Sequence, residues 1–194
     1  MPRAGLTTAA VTAAAATLAD EAGLNQLSMG AVADRLSVKT PSLYKHVEGL
    51  AALTHHIAIL ATTELGDAIR DATQGRAGSD ALAAAAQAMR HYVTRHPGRY
   101  AATIGVRPTG ADDPLALAME RSLSAFAAVL HGYQLGVDQE IHALRTLRSM
   151  LHGFISLEVA DGFQYATDVS ASFTWMTQLL DRGLHAQSLL VEGK

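Results

Sequence analysis

The sequence predicts an all-α protein, and three observations predict it. Alanine dominates, with runs at Ala13–Ala16 and Ala83–Ala86, and alanine is the best helix former. Apolar residues recur at the i, i+3, i+4 spacing of a helix face, while the alternation of strands is nearly absent. Gly and Pro fall mostly between the periodic segments, where helices start and stop.

The elements follow in order. A first helix is expected from Thr8 to Ala22, with Thr7 as N-cap and Gly23 just past its end. Its buried stripe is Val11, Ala14, Ala15, Leu18 and Ala22. Ser28 caps a short second helix reaching Leu36, and Leu27 and Val32 stand at the two positions of a hydrophobic staple. Ser37 and Val38 form a tight turn. Thr40 is expected to cap a third helix with Pro41 at its first position, where a missing N–H costs nothing. A long helix runs from Gly49 to about Asp71 with Leu53, Ile57, Leu60 and Ile69 inward. Residues 73–79 form a loop. Further helices are expected at 80–95, at 114–130 behind the Asp113–Pro114 start signal, at 138–160, and from Asp168 to about Gly183; a short turn occupies 97–104.

Composition bounds the function. Of 194 residues, 49% are hydrophobic and 17% charged, which is wrong for a disordered chain. The absence of Cys removes disulfide scaffolds, cysteine zinc sites and thiol nucleophiles. No apolar run approaches the ~20 residues that cross a bilayer, and MPRAGLTT lacks the apolar core of a signal peptide, so a cytoplasmic protein with no membrane partner is expected. The net charge of −3 argues against nucleic-acid binding only as an average. In residues 1–50 four cations balance four acids, and from Arg35 to His46 there are three cations and no acid.

That segment carries the chemistry. Residues 28–47 read as helix, sharp turn, helix, the dimensions of a helix-turn-helix whose second helix enters the ~12 Å major groove. Leu36, Val38, Leu43 and Val47 hold the short helices together, leaving Lys39, Thr40, Ser42 and Lys45 pointing outward. Hydroxyls at a helix start suit base edges, and Tyr44, Lys45 and His46 carry donors for phosphate. The segment SVKTPSLYKHV (residues 37–47) resembles the recognition element of the TetR family of bacterial transcriptional repressors. The likeness extends over about residues 6–57, including the Asp-Glu-Ala-Gly-Leu phrase at 20–24. It implies that Thr40, Pro41 and Ser42 face bases and that Tyr44, Lys45 and His46 grip the backbone, with Lys39 beside them. Gly30 and Leu50 depart from the family, which usually has Arg and Lys at these positions, and Ser37 replaces its turn glycine, so the resemblance implies a positive φ at a non-glycine residue.

The resemblance implies a DNA-binding domain at 1–50 and a ligand-binding and dimerisation domain at 51–194. Residues 95–104 and His152-Gly153-Phe154 resemble the Trp-His-Gly subgroup, with Leu151 in place of its Trp. Effector contacts are expected from Met89, Tyr92, Tyr100, Ile104, Met119, Phe126, Arg145, His152 and Phe154, which combine adaptable apolar walls with polar handles. The two C-terminal helices are apolar on more than one face, so Leu147, Met150, Phe173, Met176 and Leu180 are expected at a homodimer interface, the alternative being that both are central helices of a monomer core. No cofactor, metal or catalytic motif is present: His55-His56 diverge around a helix, and His91 and His96 miss the i, i+4 spacing of a helical zinc site. The expected protein is thus not an enzyme but a repressor. It pairs a double-stranded operator with a small-molecule effector. The alternative is a helical small-molecule-binding module whose DNA-binding head has decayed, as Gly30 and Leu50 would allow.

Overall fold

The computed structural model describes the backbone of residues 6–192 and the side chains of 6–187. Among the described residues there are nine α-helices and no strand: α1 (Thr8–Ala22), α2 (Met29–Arg35), α3 (Thr40–Leu43), α4 (Leu50–Thr73), α5 (Gly78–Arg95), α6 (Pro97–Ala102), α7 (Pro114–Leu130), α8 (Val137–Val159) and α9 (Val169–Glu192). The all-α expectation holds.

Start signals act largely as read. Thr7 accepts a bond from the Ala10 N–H (3.1 Å) and Ser28 from the Ala31 N–H (3.1 Å), each satisfying an orphan donor of a first turn. Asp113 Oδ1 accepts from the Leu115 N–H at 2.9 Å, and Asp168 Oδ1 from the Ser170 N–H at 2.8 Å. Three expectations are corrected. Thr40 is the first helical residue of α3, and Lys39 is its N-cap without a side-chain bond. The segment 97–104 contains the short helix α6, because Pro97 fixes a helical φ at its start. The last helix does not stop near Gly183 but runs to Glu192, since one glycine inside an apolar helical pattern costs only ~1 kcal/mol.

The chain packs as two compact units, one of residues 1–64 with 95–119 and one of 65–94 with 120–194. α4 is a single 24-residue helix, and α6 docks on α1 within the first unit. The core of the first unit gathers Val11, Ala15, Val32, Leu43, Leu53 and Ile57. Gly98 of α6 sits so close to α1 that a Cβ there would overlap the Ala19 carbonyl, so only glycine permits that approach. Asp20 fastens it: Oδ1 accepts from the Arg99 N–H (2.8 Å), and Oδ2 lies 3.1 Å from His96 Nδ1 and 2.9 Å from Arg99 Nε. Arg99 also reaches Glu64 of α4 at 3.2 Å.

The second unit is built around larger side chains. Leu82, Met89, Leu130, Tyr133, Leu147 and Phe173 are all buried. Arg90 of α5 donates to Glu158 of α8 (Nε to Oε2, 2.8 Å) and to Ser170 of α9 (3.2 Å), and its guanidinium stands 4.9 Å over the Phe173 ring. The Tyr133 hydroxyl donates to Asp181 at 2.6 Å. Burial first, and that bond second, keep the phenol protonated well above its ordinary range.

Candidate nucleic-acid interface and effector-binding body

The helix-turn-helix is built from its turn outward. Leu36 ends α2, Ser37 takes φ 54°, and two backbone bonds close the end: Ser37 N–H to Asp34 O (3.0 Å) and Val38 N–H to Ala33 O (2.9 Å). This is the Schellman arrangement, with serine at the left-handed position glycine usually fills. The turn aims α3 away from α2 at the cost of some backbone strain. Although α3 itself holds only four residues, its path continues, because His46 and Val47 N–H groups both bond to Leu43 O at 2.8 and 3.0 Å. Thr8 of α1 donates to the His46 carbonyl at 3.0 Å and so pins the end of that path, a role no local sequence signal announced.

Burial sorts this segment into two faces. Leu43 and Val47 are buried, and Leu36 and Val38 pack against the same core. Lys39, Pro41, Tyr44 and Lys45 are exposed, and Thr40, Ser42 and His46 are half-buried. Tyr44 is 56% exposed although its ring is large and apolar. All seven residues expected to meet DNA therefore lie outside the core on one contiguous stretch. Their charge is smaller than the sequence count implied. Arg35 is bound by both its terminal nitrogens to Glu21, at 2.6 and 2.8 Å, and the same pair lowers the Glu21 carboxyl below its ordinary range. Lys39 and Lys45 have no ion pair among the described residues. Gly30 is exposed, and a Cβ there would meet only Ser28 Oγ at 3.9 Å, an ordinary contact, so nothing inside the protein requires glycine there. Leu50, the other departure, is 40% exposed.

Behind this surface, His55 of α4 faces Asp113 at the start of α7, Nε2 to Oδ2, at 2.9 Å. Asp113 also accepts from the Thr109 and Leu115 N–H groups, and these bonds, ahead of His55, hold its carboxyl far below the ordinary carboxylate range. His55 is thereby a structural partner of a helix cap. His56, its neighbour, has a buried Nδ1 without a hydrogen bond.

The nine residues expected to line an effector site divide between the two units. Tyr100, Ile104 and Met119 belong to the first unit, and the other six to the second. Met89, Tyr92 and Tyr100 are buried, Met119, Phe126, His152 and Phe154 are half-buried, and Ile104 and Arg145 are exposed. Ile104 is 48% exposed because it follows the end of α6 and lies in the turn before Gly105. Phe154 stands in an aromatic row with Phe163 (4.8 Å) and Phe173 (5.2 Å). Neither of those two was expected to accompany it. His152 Nδ1 lies 3.4 Å from Ser156 Oγ, one turn along its own helix.

The interface residues also sort differently. Leu147, Phe173 and Leu180 are buried within the second unit, so they cannot meet a partner without opening its core. Met150 and Met176 are half-buried. Exposed apolar side chains on the same two helices are Val137, Ile141, Leu157 and Val159 on α8 and Trp175 and Leu179 on α9. A helix apolar on several sides shows no sequence difference between the side that meets its own chain and the side left open. No helix of the described residues is long and apolar enough to cross a membrane.

The fold and the exposed segment 39–46 define a helical protein with an N-terminal helix-turn-helix. Comparison with known proteins narrows this class. The family model of the tetracyclin repressor-like C-terminal domain matches residues 82–180. The chain is 32% identical over 187 residues to the HTH-type transcriptional regulator YobS of Bacillus subtilis (strain 168), covering 94% of this chain and 95% of that one. It is 36% identical over 175 residues to an HTH-type transcriptional regulator of Mycobacterium tuberculosis, covering 90% and 79%. Its fold is shared with the crystal structure of the Streptomyces coelicolor TetR family protein ActR in complex with (S)-DNPA. The TM-score is 0.69 at 17% identity, with 95% and 100% of the chains covered. The chain belongs to the TetR family of transcriptional regulators. The narrower likeness to the Trp-His-Gly subgroup finds no support in these comparisons.

Proposed function

We propose that the protein is a cytoplasmic repressor that binds a palindromic operator as a homodimer and is released by a small hydrophobic or amphipathic effector. The observation that carries this reading is the stretch Lys39–His46, whose polar side chains stand outside a core closed by Leu43 and Val47. In it Thr40, Pro41 and Ser42 read base edges, and Lys39, Tyr44, Lys45 and His46 hold phosphate. Only two of these residues carry a full positive charge, so one copy makes few charge-neutralising contacts and the affinity needs two. A palindrome supplies two half-sites ~34–36 Å apart, one for each recognition helix. The second copy meets α8 and α9 on the side bearing Ile141, Trp175 and Leu179, whose exposed apolar surface asks for cover.

An effector acts only by binding the DNA-incompetent state more tightly; moving the population from 1:99 to 99:1 takes about 5.5 kcal/mol of preference. ActR with its bound (S)-DNPA supports a small molecule as the signal, and α4, which contributes residues to both units, is the proposed lever. The test is selection of operators from random DNA, followed by titration of the selected duplex. Ser42→Ala should relax preference at one base position, at ~1–3 kcal/mol for a lost base contact. Binding that stays non-specific for the unmodified protein would leave the decayed-head module in its place. In sedimentation, Trp175→Asp should convert a micromolar dimer to monomer, and a stable monomer before substitution would contradict the dimer.

A further inference from the structure

The turn between α8 and α9 borders a groove of about 420 Å³, open to solvent on one side, within the ~300–1,000 Å³ range of small-molecule sites. None of the nine residues expected to bind an effector lines it. Its apolar walls are Phe163, Tyr165 and Val169, and its polar ones Gln164, Thr167 and Ser172. We propose that this groove binds a neutral, planar aromatic molecule bearing one or two hydrogen-bonding groups.

Three features point there. First, the floor of the groove at the end of α8 is fixed before any ligand arrives. The end of α8 closes with Asp161 N–H to Glu158 O (3.1 Å) and Gly162 N–H to Leu157 O (2.7 Å), with Asp161 at φ 53°. A non-glycine residue held in that region marks a turn dictated by its surroundings. Gln164 is oriented as well, because its Nε2 donates to the Asp161 carbonyl at 3.1 Å.

Second, the lining excludes ions. It contains no Lys, Arg, His, Asp or Glu, so a charged guest would lose hydration without gaining a counter-charge. A phenol or aryl amide matches amide and hydroxyl partners without that loss.

Third, an aromatic row stands behind the wall. Phe163 meets Phe154 at 4.8 Å, Phe154 meets Phe173 edge-on at 5.2 Å, and the Arg90 guanidinium covers Phe173. A ring stacked on Phe163 extends this row, each such pair adding ~0.5–1.5 kcal/mol beyond burial. Tyr165, 90% exposed at the rim, supplies a second ring that costs little to move. The row ends at Arg90, which ties α5 to Glu158 of α8, so occupancy of the groove bears on the packing of three helices.

The experiment titrates the full chain, without DNA, with 2-naphthol, and with 2-naphthoate as its charged counterpart, by calorimetry and by emission of the single tryptophan. Trp175 stands one helical turn beyond Ser172, the spacing at which helix residues are neighbours. The expected result is saturable 2-naphthol binding with Kd below ~1 mM, and 2-naphthoate at least about tenfold weaker. Ser172→Phe, which fills the groove, should abolish binding. Tyr165→Ala should weaken it by about two- to tenfold, the range of a lost aromatic contact, and because that side chain is exposed the variant keeps its fold. No saturable binding of 2-naphthol, equal binding of the two probes, or binding untouched by Tyr165→Ala would overturn the proposal. Operator affinity, measured separately on the same variants, tests the regulator reading independently.

Discussion

The two compact units solve packing in opposite ways. The first closes its core with small and branched aliphatic side chains, Val11, Ala15, Ala16 and Val32 among them, and lets backbones touch, as at Gly98 against Ala19. The second spaces its helices with rings and a half-buried ion pair, Arg90–Glu158 over Phe173. Close-packed small residues leave no slack for added atoms, whereas a core of rings loses many contacts when one ring is removed. The difference teaches where each unit is vulnerable: the first to any added atom, the second to lost side-chain volume.

Substitutions can break this contrast. The largest effect is expected from Phe173→Ala, which removes a fully buried ring and should cost ~3–5 kcal/mol. Thermal melts at several protein concentrations check it: a loss independent of concentration places Phe173 inside the protomer, and a loss that grows on dilution would restore it to a partner interface. Next comes Gly98→Ala, where a single methyl meets the Ala19 backbone. It should cost about 3 kcal/mol, at the upper end for overpacking, whereas Gly30→Ala, whose methyl meets only Ser28 Oγ at ordinary contact distance, should stabilise by ~0.5–1 kcal/mol. If both glycines respond alike in a denaturant titration, the close approach of α6 to α1 is wrong.

Asp113→Asn gives a smaller, pH-dependent loss. The native carboxyl is held low by the N–H groups of Thr109 and Leu115, so its contribution is complete above the ordinary carboxylate range, near pH 4. It is lost as pH falls toward the native value. The gap in Tm between the two proteins should be full at pH 7 and narrow steadily in acid; a gap that stays constant with pH would contradict the assignment. The smallest effect is Ser37→Gly, which relieves a positive φ and should raise stability by up to ~1 kcal/mol.

The same comparison explains what could be read in the sequence. The recognition surface was legible because its parts are contiguous: Ser28, Leu43 and Val47 declare cap and core within twenty residues, and Thr40–His46 need only point away. Its limits were legible in part, since Ser37 does take φ 54°. The loss of Arg35 to Glu21, fourteen residues away across the turn between α1 and α2, was not. In the second unit the pairs that matter lie far apart in the chain, Arg90 with Glu158 and Tyr133 with Asp181. No spacing rule reaches that far. Helices apolar on several faces also hid which side faces the core, so Phe173 and Leu180 were assigned outward when they pack inward.

The central claim is that Lys39–His46 grips an operator with few charges per copy. The most direct measurement is the salt dependence of binding to a selected operator, by fluorescence anisotropy, for the unmodified protein and Lys45→Ala. The account predicts that the substitution weakens specific and non-specific duplexes alike and makes the slope of log K against log salt shallower by about one unit per lysine removed from DNA contact. An unchanged slope, with unchanged affinity for the selected operator, would place the DNA-binding surface elsewhere on the protein.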